Sequence, residues 1–177
     1  MIFEEIDYPM NYYLYGNSSL STIPTNISRL FVTVNYDDLA NNFLLDNSFS
    51  NLEEVNFASN SMASIRNITI DGVFELQSIS FGRYSCRVGT TSRSDGWLTI
   101  SNSPKLESIE IQNYALQDYS SVIFSNLSSL QTISIGSYAF QYSNSLQLTS
   151  SYIIFDFRNR SSFTYNTNIW FIYFSKR

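Results

Sequence analysis

Apolar side chains recur along this chain in a fixed order. In LQTISIGSYAFQYSNSLQLTSS, residues 130 to 151, Leu130, Ile133 and Ile135 fall at offsets 0, 3 and 5. Tyr138, Ala139 and Phe140 follow at offsets 8, 9 and 10, and Leu146 and Leu148 at offsets 16 and 18. The stretch from Leu106 repeats this layout with Ile109, Ile111, Tyr114, Ala115, Leu116, Val122 and Phe124. Upstream, the leading triads are Ile27/Leu30/Val32, Leu52/Val55/Phe57 and Leu76/Ile79/Phe81. The pairs that follow them are Phe43/Leu45, Ile68/Ile70 and Leu98/Ile100. Successive triads start 25, 24, 30 and 24 residues apart. Spacings of two send alternate side chains to one face, the mark of a half-buried strand, and no segment holds helical spacing over three turns. Self-similarity at a period of about 20 to 30 residues is the signature of a solenoid.

The pattern therefore predicts a mainly β fold, a right-handed parallel β-solenoid of about six coils of ~24 residues. Each coil carries two short strands joined by turns such as SNSP and SNLSS, and coils stack ~4.8 Å apart. Residues 27–174 form the repeat solenoid as a single domain, and residues 1–26 an N-terminal cap or irregular segment. Within the latter, NYYLY (11–15) is a candidate short strand. The small residue at offset 9 (Ser61, Ser85, Ala115, Ala139) predicts a tight corner. The residue at offset 10 (Met62, Cys86, Leu116, Phe140) then turns into the core. The third coil is six residues longer, so its second pair comes at offsets 22 and 24. A degenerate sixth coil places Ile154 and Phe157 first, then Trp170 and Ile172.

The run IGSYAF (135–140), with its LxxIxI lead-in from Leu130, resembles leucine-rich repeats of the BspA-like kind. As a pattern the resemblance covers residues 27–172. It departs from the typical leucine-rich repeat in lacking the usual Asn or Cys, and in carrying a second strand where a helix is common. The resemblance implies a curved, leucine-rich-repeat-like solenoid that binds proteins or surface ligands, and in BspA-like proteins an adhesive role at the cell surface. An intracellular location follows if Met1 is the natural start, and a cell-surface one if the chain was cut from a longer BspA-like protein.

Composition narrows the chemistry. Apolar residues make up 44% of the chain, with 13 tyrosines and 14 phenylalanines, ample for a core. A net charge of −5 argues against a nucleic-acid partner. No basic amphipathic stretch and no long apolar run suggests membrane insertion. There is no histidine, which removes the commonest general base and metal ligand. The single cysteine, Cys86, lies in the core column of Met62, Leu116 and Phe140 and reads as a buried structural thiol. Asp46 and Asp71 stack at a turn, but two carboxylates are a thin ligand set for calcium. Tyr84, Tyr114 and Tyr138 share offset 8 in three successive coils. They read as a ladder sealing a corner, or as an aromatic stripe for carbohydrate or peptide. The outward strand positions Arg29/Glu54/Ser78/Ser108/Thr132 and Phe31/Asn56/Ser80/Glu110/Ser134 form a mostly polar ladder without the paired carboxylates of glycan hydrolysis.

No catalytic residue, cofactor or metal is expected. The reading is a non-catalytic binding module of scaffold or adhesion type, with a protein or a surface glycan as partner. The alternatives are a parallel β-helix enzyme acting on polysaccharide and a structural fragment of a longer repeat protein. The candidate partner-binding residues are Arg83, Arg87, Arg93 and Trp97, gathered by the insertion in the third coil. Insertions in solenoids become loops on one face, and Arg and Trp are enriched at binding hot spots. Because the insertion adds nothing to the repeat register, deleting Gly89 to Asp95 is expected to leave thermal stability nearly unchanged.

Overall fold

In four of the five four-residue strands that follow a leading triad's first member burial alternates; in the last, Thr132–Ile135, Ser134 is buried as well. Glu54, Val55, Asn56 and Phe57 run partly buried, buried, partly buried, buried, and Ser78 to Phe81 do the same. The inward half of each strand is apolar and largely β-branched or aromatic, which suits a pleated surface with one face against a core. The computed structural model describes residues 10–16, 20–34, 42–87, 96–143, 145–149, 154–157 and 168–171.

Strands are numbered in chain order. The first sheet has seven: β1 (Asn11–Leu14), β2 (Arg29–Val32), β4 (Glu54–Phe57), β6 (Ser78–Phe81), β8 (Ser108–Ile111), β10 (Thr132–Ile135) and β12 (Ile154–Phe157). The second has six: β3 (Asn42–Leu45), β5 (Asn67–Asp71), β7 (Gly96–Ser101), β9 (Tyr119–Ser125), β11 (Ser145–Thr149) and β13 (Asn168–Phe171). The protein is thus mainly β, with two parallel sheets. From β2 onward the chain switches sheet at every strand, so each pass through both sheets is one repeat. A short 3-10 turn at Leu20–Thr22 links β1 to β2.

Register follows the apolar pattern. Leu30, Val55, Ile79, Ile109 and Ile133 lie side by side across the first sheet, with Val32, Phe57, Phe81, Ile111 and Ile135 beside them. In the second sheet Phe43, Ile68, Leu98, Val122 and Leu146 align. All these residues are buried and form one cluster. Phe57 and Phe81 stack ring on ring at 4.6 Å, the spacing of neighbouring strands.

The last repeat is offset from its expected place. Phe155 pairs with Ile133 and Phe157 with Ile135, while Ile169 pairs with Leu146 and Phe171 with Leu148. The expected assignments of Ile154 to the leading position, Phe157 opposite Ile133, and Trp170 beside Leu146 are therefore displaced, and Ile172 lies outside the described residues. In NIWFIYF apolar residues are consecutive, so a period of two does not select a register there; in IIFDF the alternation Phe155, Asp156, Phe157 sets the observed register, and the extra apolar Ile154 does not.

Candidate functional site

After β4, β6, β8 and β10 the chain turns through a corner with an unusual backbone. Asn60 and Met62, Tyr84 and Cys86, Tyr114 and Leu116, and Tyr138 and Phe140 all have φ between 52° and 62°. This left-handed conformation costs a residue with a side chain roughly 1–2 kcal/mol. Hydrogen bonds between repeats hold it. The N–H of Tyr84 donates forward to the Asn113 carbonyl at 3.1 Å, and that of Tyr114 to the Ser137 carbonyl at 2.9 Å. Two residues later the direction reverses: Cys86 N–H donates back to the Ser61 carbonyl at 2.8 Å, and Leu116 N–H to that of Ser85 at 3.0 Å. The residue between is fully buried in each corner and is Ser61, Ser85, Ala115 or Ala139. The residue after it enters the core.

The first left-handed residue of each corner points outward. Tyr84 and Tyr114 stack at 4.8 Å and 20°, and Tyr114 and Tyr138 at 4.8 Å and 10°. One ring per repeat matches the strand spacing, so the backbone sets the stack. The Arg83 guanidinium lies 4.9 Å from the Tyr84 ring centre, and its Nη2 donates to the Tyr84 hydroxyl at 3.4 Å. A cation against an aromatic ring is attracted to the ring's electron density. Arg83 is anchored to the next repeat by its N–H, which donates to Gln112 Oε1 at 3.2 Å. Beside the stack, Asn60, Ala63, Tyr84 and Arg87 line an open cleft of about 390 Å³. A smaller hollow of about 220 Å³ lies between Arg83, Glu110 and Gly136.

The structure thus brings Arg83 and Arg87 to Tyr84. Arg93 lies outside the described residues. Trp97 is the second residue of β7, on the outer face of the second sheet, 62% exposed and in register with Asn67 and Ser121. Its N–H donates to the Arg66 carbonyl at 2.7 Å.

The remaining candidates are engaged elsewhere. Cys86 is fully buried, and burial pushes its thiol well above the ordinary value of 9.0, so it stays protonated. Asp46 is held below its ordinary value by the Ser48 hydroxyl and N–H. Asp71 accepts from Ser101 Oγ and Asn102 Nδ2, both at 2.7 Å. Among the described residues no group of three or more Cys, Asp or Glu side chains could hold a metal ion. On the outer face of the first sheet, Arg29 pairs with Glu54 at 3.5 Å, an exposed pair of small energetic weight.

Two features escaped the sequence reading. Tyr119 is fully buried, its hydroxyl donating to the Ile65 carbonyl at 2.8 Å across 54 residues. Gly96 packs on its ring, where a Cβ would meet the ring carbons at 2.9 Å. The available signal is a tyrosine at the position filled by Ile65 two repeats earlier and Ser143 one repeat later. The second is an amide ladder, in which Asn126 Nδ2 donates to Asn102 Oδ1 at 2.9 Å. Comparison with protein-family models, with curated proteins and with solved structures finds no match.

Proposed function

We propose that the chain is a closed, right-handed, leucine-rich-repeat-like solenoid that works as a non-catalytic binding module for a protein or a surface glycan. One observation carries the reading: an in-register stack of three tyrosines, met at one end by two arginines, stands at the surface of a rigid repeat scaffold. Tyr and Arg are among the side chains most enriched at binding hot spots, and repeat stacks offer extended surfaces for recognition. The stack and the inter-repeat bonds fix the tyrosines and Arg83 before any partner arrives, which lowers the ordering cost of binding. The IGSYAF run supports the same reading through its resemblance to BspA-like repeats.

The test is binding of the full chain to a glycan array and to a displayed-peptide library, repeated with Arg83→Ala/Arg87→Ala. Selective binding by the native chain, reduced at least about tenfold in the variant at unchanged thermal stability, is expected. Undiminished binding by the folded variant moves the site to the outer face of the first sheet. Turnover of a glycan, lost on replacing one carboxylate, overturns the non-catalytic reading. An experimental structure with a left-handed or unclosed path overturns the solenoid.

A further inference from the structure

We infer that the cleft beside Tyr84 is a site for a uronate-bearing saccharide, with a pyranose face on the tyrosine ring and a carboxylate on Arg87. The inference rests on the proposed reading of this corner as a recognition surface. Two sequence differences make the cleft. Asn60 occupies the corner position that Tyr84, Tyr114 and Tyr138 fill in the following repeats. Ala63 occupies the position, three residues on, that becomes Arg87, Gln117 and Gln141. The backbone is the same, with φ of 59° at Asn60 and 60° at Tyr84, so only side-chain bulk is missing. The space amounts to about 390 Å³ and is lined by Asn60, Ala63, Tyr84 and Arg87. It falls within the ~300–1,000 Å³ of small-molecule sites.

The lining chemistry selects the ligand. The aromatic column stops at Tyr84 on the Asn60 side, and Arg83, which donates to the Tyr84 hydroxyl, is not among the residues that line the space where another ring would stand. A pyranose offers a flat C–H face to an aromatic ring and hydroxyls to a side-chain amide such as that of Asn60. Arg87 is exposed, and the ion pairs Arg29–Glu54 and Lys105–Glu75 among the described residues do not involve it. Its planar fork matches a carboxylate in two hydrogen bonds. An acidic peptide would satisfy Arg87 but would leave the ring without a flat partner.

The experiment is calorimetric titration of the full chain with oligogalacturonate, a neutral galacto-oligosaccharide and a poly-glutamate peptide. Oligogalacturonate should bind, weakening as salt rises, and the other two should bind at least about tenfold more weakly. Arg87→Ala and Tyr84→Asn should each lower the affinity about tenfold or more. Lys105→Ala, which removes a cation outside the cleft lining, should not change it. Ala63→Gln, which restores the bulk found in the later repeats, should abolish binding while the circular dichroism spectrum and melting temperature stay unchanged. Unaltered binding by folded Ala63→Gln overturns the site. Equal binding of poly-glutamate overturns the saccharide. Failure of oligogalacturonate to bind a chain that still captures an array ligand overturns this inference alone and leaves the binding-module reading standing.

Discussion

Gly72 holds a φ of 72° at the turn position where the next two repeats place Asn102 and Asn126, at 53° and 54°. Asparagine tolerates this conformation, and the nearest atom to a Cβ at Gly72 is a comfortable 3.6 Å away. Gly72→Asn should therefore be neutral or raise stability by ~0.5 kcal/mol, by restricting the unfolded chain. Gly82 is under a different constraint: a Cβ there would stand 2.5 Å from the Ser59 backbone nitrogen. Gly82→Ala should cost ~1–3 kcal/mol, because backbone and not a flexible side chain must move. Urea denaturation of the two variants checks both signs. The Ser61 hydroxyl is buried and has no hydrogen-bond partner among the described residues, at a position where two later repeats use alanine. Ser61→Ala should raise stability by ~1 kcal/mol, read as a higher urea midpoint, and a lowered midpoint would show that the hydroxyl is satisfied. At this scale the sequence displayed the small residue of each corner. It did not display the left-handed residues around it, because Tyr, Cys, Leu and Phe carry no preference for that conformation. Bonds to the neighbouring repeats impose it.

Among the elements, the third repeat departs most from its neighbours. Its six extra residues were legible as a 30-residue spacing, and the structure keeps β5, β7 and β9 in register across it apart from a bulge at Gly96/Trp97. What the pattern could not show is that Tyr119, from the fourth repeat, reaches the second. This changes the expectation for the loop deletion. Without its seven residues the third repeat is 23 long, one short of its neighbours, and must run between Ile65 and Tyr119, where the tyrosine side chain now lies. Deleting Gly89 to Asp95 should then destabilise by ~1–3 kcal/mol instead of leaving stability unchanged. Tyr119→Ser alone should cost ~3–5 kcal/mol. Combined, the two changes should recover most of the loss, since Ser143 fills the equivalent position one repeat on and its hydroxyl donates to the Tyr119 carbonyl. A thermodynamic cycle on the melting transition measures the coupling, and simple additivity would refute the explanation. The displaced last repeat has a simpler origin: consecutive apolar residues, Ile154 before Phe155 and Ile169 to Phe171, offer more than one register to spacing alone.

For the molecule as a whole, the missing histidine leaves no side chain with an ordinary value in the neutral range. Stability should be flat from about pH 5 to 8. Cys86 and Tyr119 are both held protonated by burial, above their ordinary values of 9.0 and 10.0. Their contributions are complete below those values. They are lost as rising pH ionises the groups in the unfolded chain first, up to the raised folded values. Melting temperature should fall above about pH 9, less steeply in Cys86→Ala. On the acid side, the lowered Asp46 contributes above its ordinary value of 3.8 and fades as pH drops through its folded one. A fall in melting temperature between pH 6 and 8 would contradict this assignment. The alternation of sheets and their parallel register were readable in advance because the apolar period is long, repeated and nearly constant. The arginine cluster is readable only in part, because Trp97 depends on how β7 faces and the offset-8 spacing ties Tyr84 to its ladder instead of to the arginines.

The alternating amide bonds of the corners bear on how the chain yields to load. Each repeat is tied one neighbour ahead and one behind, with few ties reaching further. Tension on the two ends should peel repeats away singly, each 24-residue unit releasing about 80 Å of contour. The tyrosine stack and the Tyr119 hydroxyl bind the second to fifth repeats across more than one joint. In an optical trap those repeats should give way together, as one long step among short ones.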